Sequence, residues 1–96
     1  MHIEDLRKEI DQIDVELIRL FIKRMSLVKQ VAAYKKENNL PIFAPGREKE
    51  KLEDVAAKSG ADMAGYTCAL YAKIFEISKN YQLKCIDTES SQNSEN

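Results

Sequence analysis

Seven side chains in this sequence have the types and spacing that handling a small anion would require: Arg7, Arg24, Lys35, Arg47, Glu48, Ser78 and Gln82. Arginine offers a planar fork of donors that matches a carboxylate, and lysine and glutamine can donate to one oxygen on which charge builds. Four cations, one carboxylate and two neutral hydrogen-bonding groups suit a small dianion. A nucleophile with its base is missing: the one histidine is His2, Cys68 and Cys85 lie 17 residues apart, and no glycine-rich phosphate loop occurs. The same inventory composes no recognisable Cys/His metal site. Chemistry through positioning and electrostatics fits best.

The elements that carry these residues follow from apolar periodicity. From Ile3 to about Lys36 there is no Pro or Gly, and Leu6, Ile10, Ile13, Leu17, Leu20, Leu27 and Val31 recur three and four apart, which predicts one long helix. A helix of about 33 residues spans about 50 Å, more than a compact chain of this length needs. Its coiled-coil spacing calls for a partner chain. Steps of three and four from Leu20 land on Arg24, a cation at a core-type position. Lys35 follows it by eleven residues, about 20° from alignment and roughly 16 Å along the axis, so both side chains can lean toward a common point. The alternative is that both lie at the edge of the stripe with their heads in water. Arg7 precedes Arg24 by 17 residues and is about 100° away around the helix. It joins the same site only from a partner chain; otherwise it is a solvated charge beside Lys8.

Residues 37 to 46 carry two Pro, two Asn and a Gly and read as a connection in which Ile42 and Phe43 tuck inward. A second helix should begin at Pro45 or Gly46, face Leu52, Val55 and Ala56 inward and stop at Ser59-Gly60. Arg47 and Glu48 fall in its first turn, as site residues or as a solvated pair. Asp62 is the expected N-cap of a third helix running to about Lys84. On it Leu70, Ile74, Ile77 and Tyr81 form one row, and a second row of Tyr71 and Phe75 is interrupted by Ser78 and Gln82. Two hydrogen-bonding groups on an apolar row are paired inside the protein, marginal, or turned to a ligand. The reading is thus all-α, with one long N-terminal, one short and one medium helix. Residues 1–85 make the helical domain, and residues 86–96 a polar tail without apolar residues after Ile86, expected to be disordered.

With 44% apolar and 32% charged residues in 96, the chain is one small domain, too apolar to be wholly disordered. So small a core is marginal alone, which favours a homo-oligomer. Lys plus Arg is 15 and Asp plus Glu 16, net −1, leaving no broad basic face for nucleic acid. No membrane span or signal peptide is legible, and the two cysteines read as free thiols, so the expected location is the cytoplasm.

The run Leu6-Arg7-Lys8-Glu9-Ile10-Asp11-Gln12-Ile13-Asp14, then Arg24, Lys35, Pro45-Gly46-Arg47-Glu48 and Ser78-Lys79-Asn80-Tyr81-Gln82, in that order, resembles the all-helical class of chorismate mutases. The resemblance covers residues 3 to about 85. It implies an intertwined homodimer of three-helix chains, with the long first helices side by side and each of two sites completed by an arginine of the other chain. It also implies an isomerase of phenylalanine and tyrosine biosynthesis that carries out the Claisen rearrangement of chorismate to prephenate, without metal or cofactor. Carried over by position, Arg24 and the partner's Arg7 would hold carboxylates, with Arg47 and Ser78 assisting. Lys35 and Gln82 would donate to the ether oxygen, and Glu48 would accept from the ring hydroxyl. One departure is Ala44, where the family often has Asp. The related isochorismate-pyruvate lyases, which share the fold, can have Ala-Pro at that point, which makes a lyase the runner-up. A helical dimerisation module without activity is the alternative from another class.

Overall fold

In a computed structural model, which describes the backbone of residues 2–94 and the side chains of residues 2–87, the chain folds into three helices. These are α1 (Ile3–Glu37), α2 (Pro45–Ser59) and α3 (Ala64–Ser94), with no strand among the described residues. The fold is all-α as the periodicity predicts, and α3 packs against both other helices. Helices α1 and α3 run in the same direction, since Leu17 and Phe21 meet Leu70 and Ile74 while Arg24 meets Ser78 further on. Helix α2 runs against α3: Leu52 lies by Cys68, and Glu48 by Lys79.

The helix ends have local causes. Asn39 takes a left-handed φ of 53°, and the Leu40 and Asn39 amides donate back to the Lys35 and Lys36 carbonyls. This is the Schellman arrangement, in which a left-handed residue just past the helix returns two amides to its last carbonyls. Pro45 opens α2 at a position where its missing N–H costs nothing, and Gly60, at φ 78°, closes it.

Three expectations are corrected. Asp62 does not begin α3; it lies in a turn whose following amides, those of Met63 and Ala64, donate to the Gly60 carbonyl, so the helix starts at Ala64. Phe43 does not tuck inward but stays 52% exposed, because its ring serves as a platform for the Lys79 ammonium at 4.4 Å. Helix α3 does not end near Lys84; its backbone is helical to Ser94, as residues 87–94 contain neither Gly nor Pro to stop it. The disorder expected over 86–96 falls mostly on residues whose side chains lie outside those described.

The molecule measures 61 × 28 × 14 Å, and its interior is thin. Among the described residues Ala32 and Val55 are the buried apolar side chains, joined by the polar Ser78 and Gln82. By contrast, Leu6, Ile10, Ile13, Leu17, Leu20, Leu27 and Val31, the stripe that defines α1, are 40 to 58% exposed. The chain presents 7672 Å² to solvent, where a compact chain of its mass would present about 5,600 Å². What is well packed is the end of the molecule where the second half of α1, the connection and α2 meet α3.

At that end α2 starts on a weak cap. Ala44 is its N-cap residue and has no side chain to accept from the first-turn amides. Replacing Ala44 with Asp should raise stability by about 1 kcal/mol, read as a higher urea midpoint at constant slope. An unchanged or lowered midpoint would contradict this account of the α2 start.

Candidate functional site

A cavity of about 200 Å³ opens where these elements converge. Helix α1 contributes Arg24, Val28 and Val31; the connection, Ile42 and Ala44; α2, Arg47, Glu48 and Lys51; and α3, Phe75, Ser78, Lys79 and Gln82. Each polar contributor has a positional reason. Arg24 continues the apolar stripe of α1 and so points where a core residue would. Ser78 and Gln82 continue the Tyr71 and Phe75 row, which faces the interior of the three helices. Arg47 and Glu48 sit in the first turn of α2, which the connection sets against α3.

The two readings of Arg24 and Ser78 resolve toward burial with pairing. An Arg24 guanidinium nitrogen donates to Ser78 Oγ at 3.0 Å, and the guanidinium lies 5.9 Å from the centre of the Phe75 ring. The Ser78 hydroxyl in turn lies 3.9 Å from Met25 Sδ. The Phe75 ring is itself set by an edge contact with Tyr71, with centroids 6.0 Å apart. A charge half-buried among apolar groups is tolerated when it is hydrogen-bonded, and here that bond also fixes its direction.

Gln82 is different: it is buried to 7% exposure, and its Oε1 has no hydrogen-bond partner among the described residues. Leaving a buried amide oxygen unpaired costs about 1 to 3 kcal/mol, so a buried glutamine on a cavity wall is a mark of use. Its amide can present a donor or an acceptor to the cavity by a half-turn of its last torsion.

Lys35 does not line the cavity. Its Nζ donates to the Ile42 carbonyl at 3.0 Å, which fastens the connection to the end of α1 and leaves the ammonium beside the wall that Ile42 forms. Two of its three donors remain for another acceptor. Arg7 is not brought to the site by its own chain: it is exposed, pairs with Glu4 at 3.2 Å, and lies about 25 Å along α1 from Arg24. Arg47 is exposed and, among the described residues, makes no ion pair with its neighbour Glu48. Glu48 pairs instead with Lys79, at 3.5 Å.

Two charged cavity residues escape the sequence reading as site residues, Lys51 and Lys79. Lys51 stands four residues after Arg47 and three after Glu48, a spacing that places it on their face of α2. It also reaches Asp54 at 3.5 Å, whose carboxyl is held below its ordinary pKa chiefly by the hydrogen bond from Lys58. Lys79 stands four after Phe75, but beside an apolar row a lysine reads as solvated. With these two the cavity wall holds Arg24, Arg47, Lys51 and Lys79 against the single carboxylate of Glu48, a strong bias toward anions.

Residues 6–83 match the family described as chorismate mutase type II. The chain belongs to that family. Among its relatives are the T-protein of Haemophilus influenzae, 47% identical over 68 residues, and the bifunctional chorismate mutase/prephenate dehydratase of Aquifex aeolicus, 45% identical over 53. These matches cover 71% and 55% of this chain but only 18% and 15% of the relatives. The chorismate mutase of Methanocaldococcus jannaschii is 44% identical over 45 residues, which is 47% of this chain and 46% of that protein. The chain thus spans less than half the length of these curated relatives. No solved structure matches it significantly.

In this family member the Arg24 to Ser78 bond is a side-chain hydrogen bond that ties α1 to α3 at the cavity. Ser78→Ala removes its buried acceptor and should cost about 1 to 2 kcal/mol of stability, measured by urea unfolding. A loss below a few tenths would mean that Arg24 is held by the Phe75 ring instead.

Proposed function

We propose that the protein is a chorismate mutase, an isomerase that converts chorismate to prephenate in the synthesis of aromatic amino acids. The observation that carries this reading is the meeting in one cavity of Arg24, Arg47, Glu48, Ser78 and Gln82, with Lys35 hydrogen-bonded to the cavity wall. These are residues to which the family resemblance gives roles, and they come from all three helices.

The reaction is unimolecular, and its demands match this inventory. A flexible enolpyruvyl ether must be folded over its ring, and negative charge growing on the ether oxygen must be met by donors already in place. Arg24, held by Ser78, takes one substrate carboxylate, with Arg47 at the mouth. Lys35 and Gln82 donate to the ether oxygen: Lys35 with a donor not used on Ile42, Gln82 with its amide turned to the cavity. Glu48 accepts from the ring hydroxyl. No nucleophile is required for bond reorganisation within one molecule.

The second substrate carboxylate falls to the partner's Arg7 in a homodimer. The exposed apolar stripe of α1 supports this, because its length and spacing fit a second copy and its burial would supply the core that one chain lacks. Arg7 is on that helix, too far from its own cavity, and among the described residues its partner is the exposed Glu4. No helix among the described residues is long and apolar enough to cross a membrane. Cys68 and Cys85 are free thiols, which supports a reducing compartment, and we place the protein in the cytoplasm.

Purified protein should consume chorismate with loss of its ultraviolet absorbance and yield prephenate. Because Ala44 leaves the cavity wall without a carboxylate at that point, isochorismate is run alongside. Pyruvate and salicylate from isochorismate alone would make it a lyase, and silence on both would leave a helical dimerisation module. Lys35→Ala and Gln82→Ala should each lower kcat roughly a hundredfold, the cost of one preorganised donor to a charged oxygen. Unchanged kcat in both would reject their roles.

The shared site has its own check. Arg7→Ala and Arg24→Ala should each be nearly inactive alone, yet their mixture after subunit exchange should recover about a quarter of the activity, since half the dimers then own one intact site of two. No recovery would place Arg7 outside the site.

A further inference from the structure

Glu48 is the one carboxylate on a wall of cations, and nothing in the proposed reaction explains what keeps it from pairing with Arg24 or Arg47 and blocking the site. The geometry points to Lys79: we propose that it is a positioning residue that holds Glu48 for the substrate through a three-part clasp of Phe43, Lys79 and Glu48. This rests on the reading of the cavity as a chorismate site.

The clasp joins three elements. Lys79 Nζ lies 3.5 Å from Glu48 Oε1, across the α2 to α3 packing, and 4.4 Å from the centre of the Phe43 ring on the connection. Other ion pairs, such as Arg19–Glu16, Lys58–Asp54 and Lys73–Glu76, link residues three or four apart on a single helix. They are also open to water: Lys73 and Glu76 are 63 and 59% exposed, whereas Lys79 and Glu48 are 35 and 25% exposed. An exposed pair contributes little, while a shielded one is screened less and holds its geometry better.

The ring of Phe43 gives the ammonium a second, non-competing partner. Its face attracts a cation within about 6 Å, so the lysine is steered over the connection toward Glu48 and away from the cavity centre. This also accounts for the exposure of Phe43: the ring is placed for the lysine, not for the core. A glutamate has three side-chain torsions to fix. Fixing them in the free protein lowers the cost of ordering the carboxylate when a substrate hydroxyl arrives. Lys79 thereby acts through Glu48.

The test is a double-mutant cycle on the full chain, with chorismate turnover as the first readout. Lys79→Met should lower kcat/KM about tenfold, mostly through KM, and Lys79→Arg should restore most of it, since arginine also pairs with a carboxylate and stacks on a ring. In a Glu48→Gln background, Lys79→Met should change kcat/KM less than twofold, because the group it positions is gone. An equal loss in both backgrounds, or no loss in the first, overturns the proposal. Circular dichroism checks folding, and Lys79→Gln replaces Lys79→Met if the latter does not fold.

A second readout needs no substrate. The 13C resonance of the Glu48 side-chain carboxyl in the free protein should move on Lys79→Met and return on Lys79→Arg; an unmoved resonance overturns the clasp. Absence of turnover in the unsubstituted protein would sink the proposed activity, and the carboxyl resonance would then decide the clasp alone.

Discussion

A helix of 35 residues in a chain of 96 cannot be covered by the rest of that chain, and much else about this protein follows from that mismatch. Helix α3 and the short α2 gather at the C-terminal half of α1, where they build the buried positions and the cavity. The N-terminal half keeps its leucines and isoleucines in water. Apolar surface on this scale is a standing driving force for association, and the molecule's thin, elongated form offers no internal way to remove it. In the proposed homodimer the same helix both supplies the missing core and carries an arginine to the other chain's cavity. Stability and the completeness of the site then become one property.

Within the packed end, the polar residues are placed where an ordinary bundle would put apolar ones. The Arg24 to Ser78 bond spans α1 and α3, and Gln82 stands one turn further along the same face. Burying such groups costs stability unless they are paired. Arg24 and Ser78 pair with each other, which fixes the guanidinium in the free protein. The Gln82 oxygen lacks a partner among the described residues, which leaves hydrogen-bonding capacity at the cavity wall. A core that accepts these costs in a domain already short of apolar burial fits the proposed ligand site.

The connection between α1 and α2 is held from both sides by lysines. Lys35 donates to the Ile42 carbonyl from the end of α1, and Lys79 rests on the Phe43 ring from α3. Residues 42 and 44 form one wall of the cavity, so these two contacts decide its shape as much as the helices do. The left-handed Asn39 makes this possible by ending α1 sharply, which turns the chain back over Lys35 within a few residues. A loop fastened in this way forms part of the cavity wall.

Much of this was legible in the sequence because it depends on local periodicity. The three-and-four spacing of apolar residues in α1, the Pro45 start and Gly60 stop of α2, and the polar breaks at Arg24, Ser78 and Gln82 are properties of neighbours along the chain. Geometry of a single helix also separated Arg7 from Arg24. Other features depended on contacts between distant segments, and periodicity is blind to those. Lys79 has no role in the sequence reading; packing of α3 on α2 sets it 3.5 Å from Glu48. Phe43 looked like a core residue until the fold gave its face to a cation. One helix brings Lys35 and Arg24 near the same side, but only the turn at Asn39 shows that Lys35 also fastens the connection through the Ile42 carbonyl. The sequence by itself determined which elements form and which polar residues break them, since backbone hydrogen bonding and apolar spacing are local. Only the tertiary structure decided which charges meet, because a partner for a long, flexible side chain is chosen by whatever the fold brings within a few ångströms of its end.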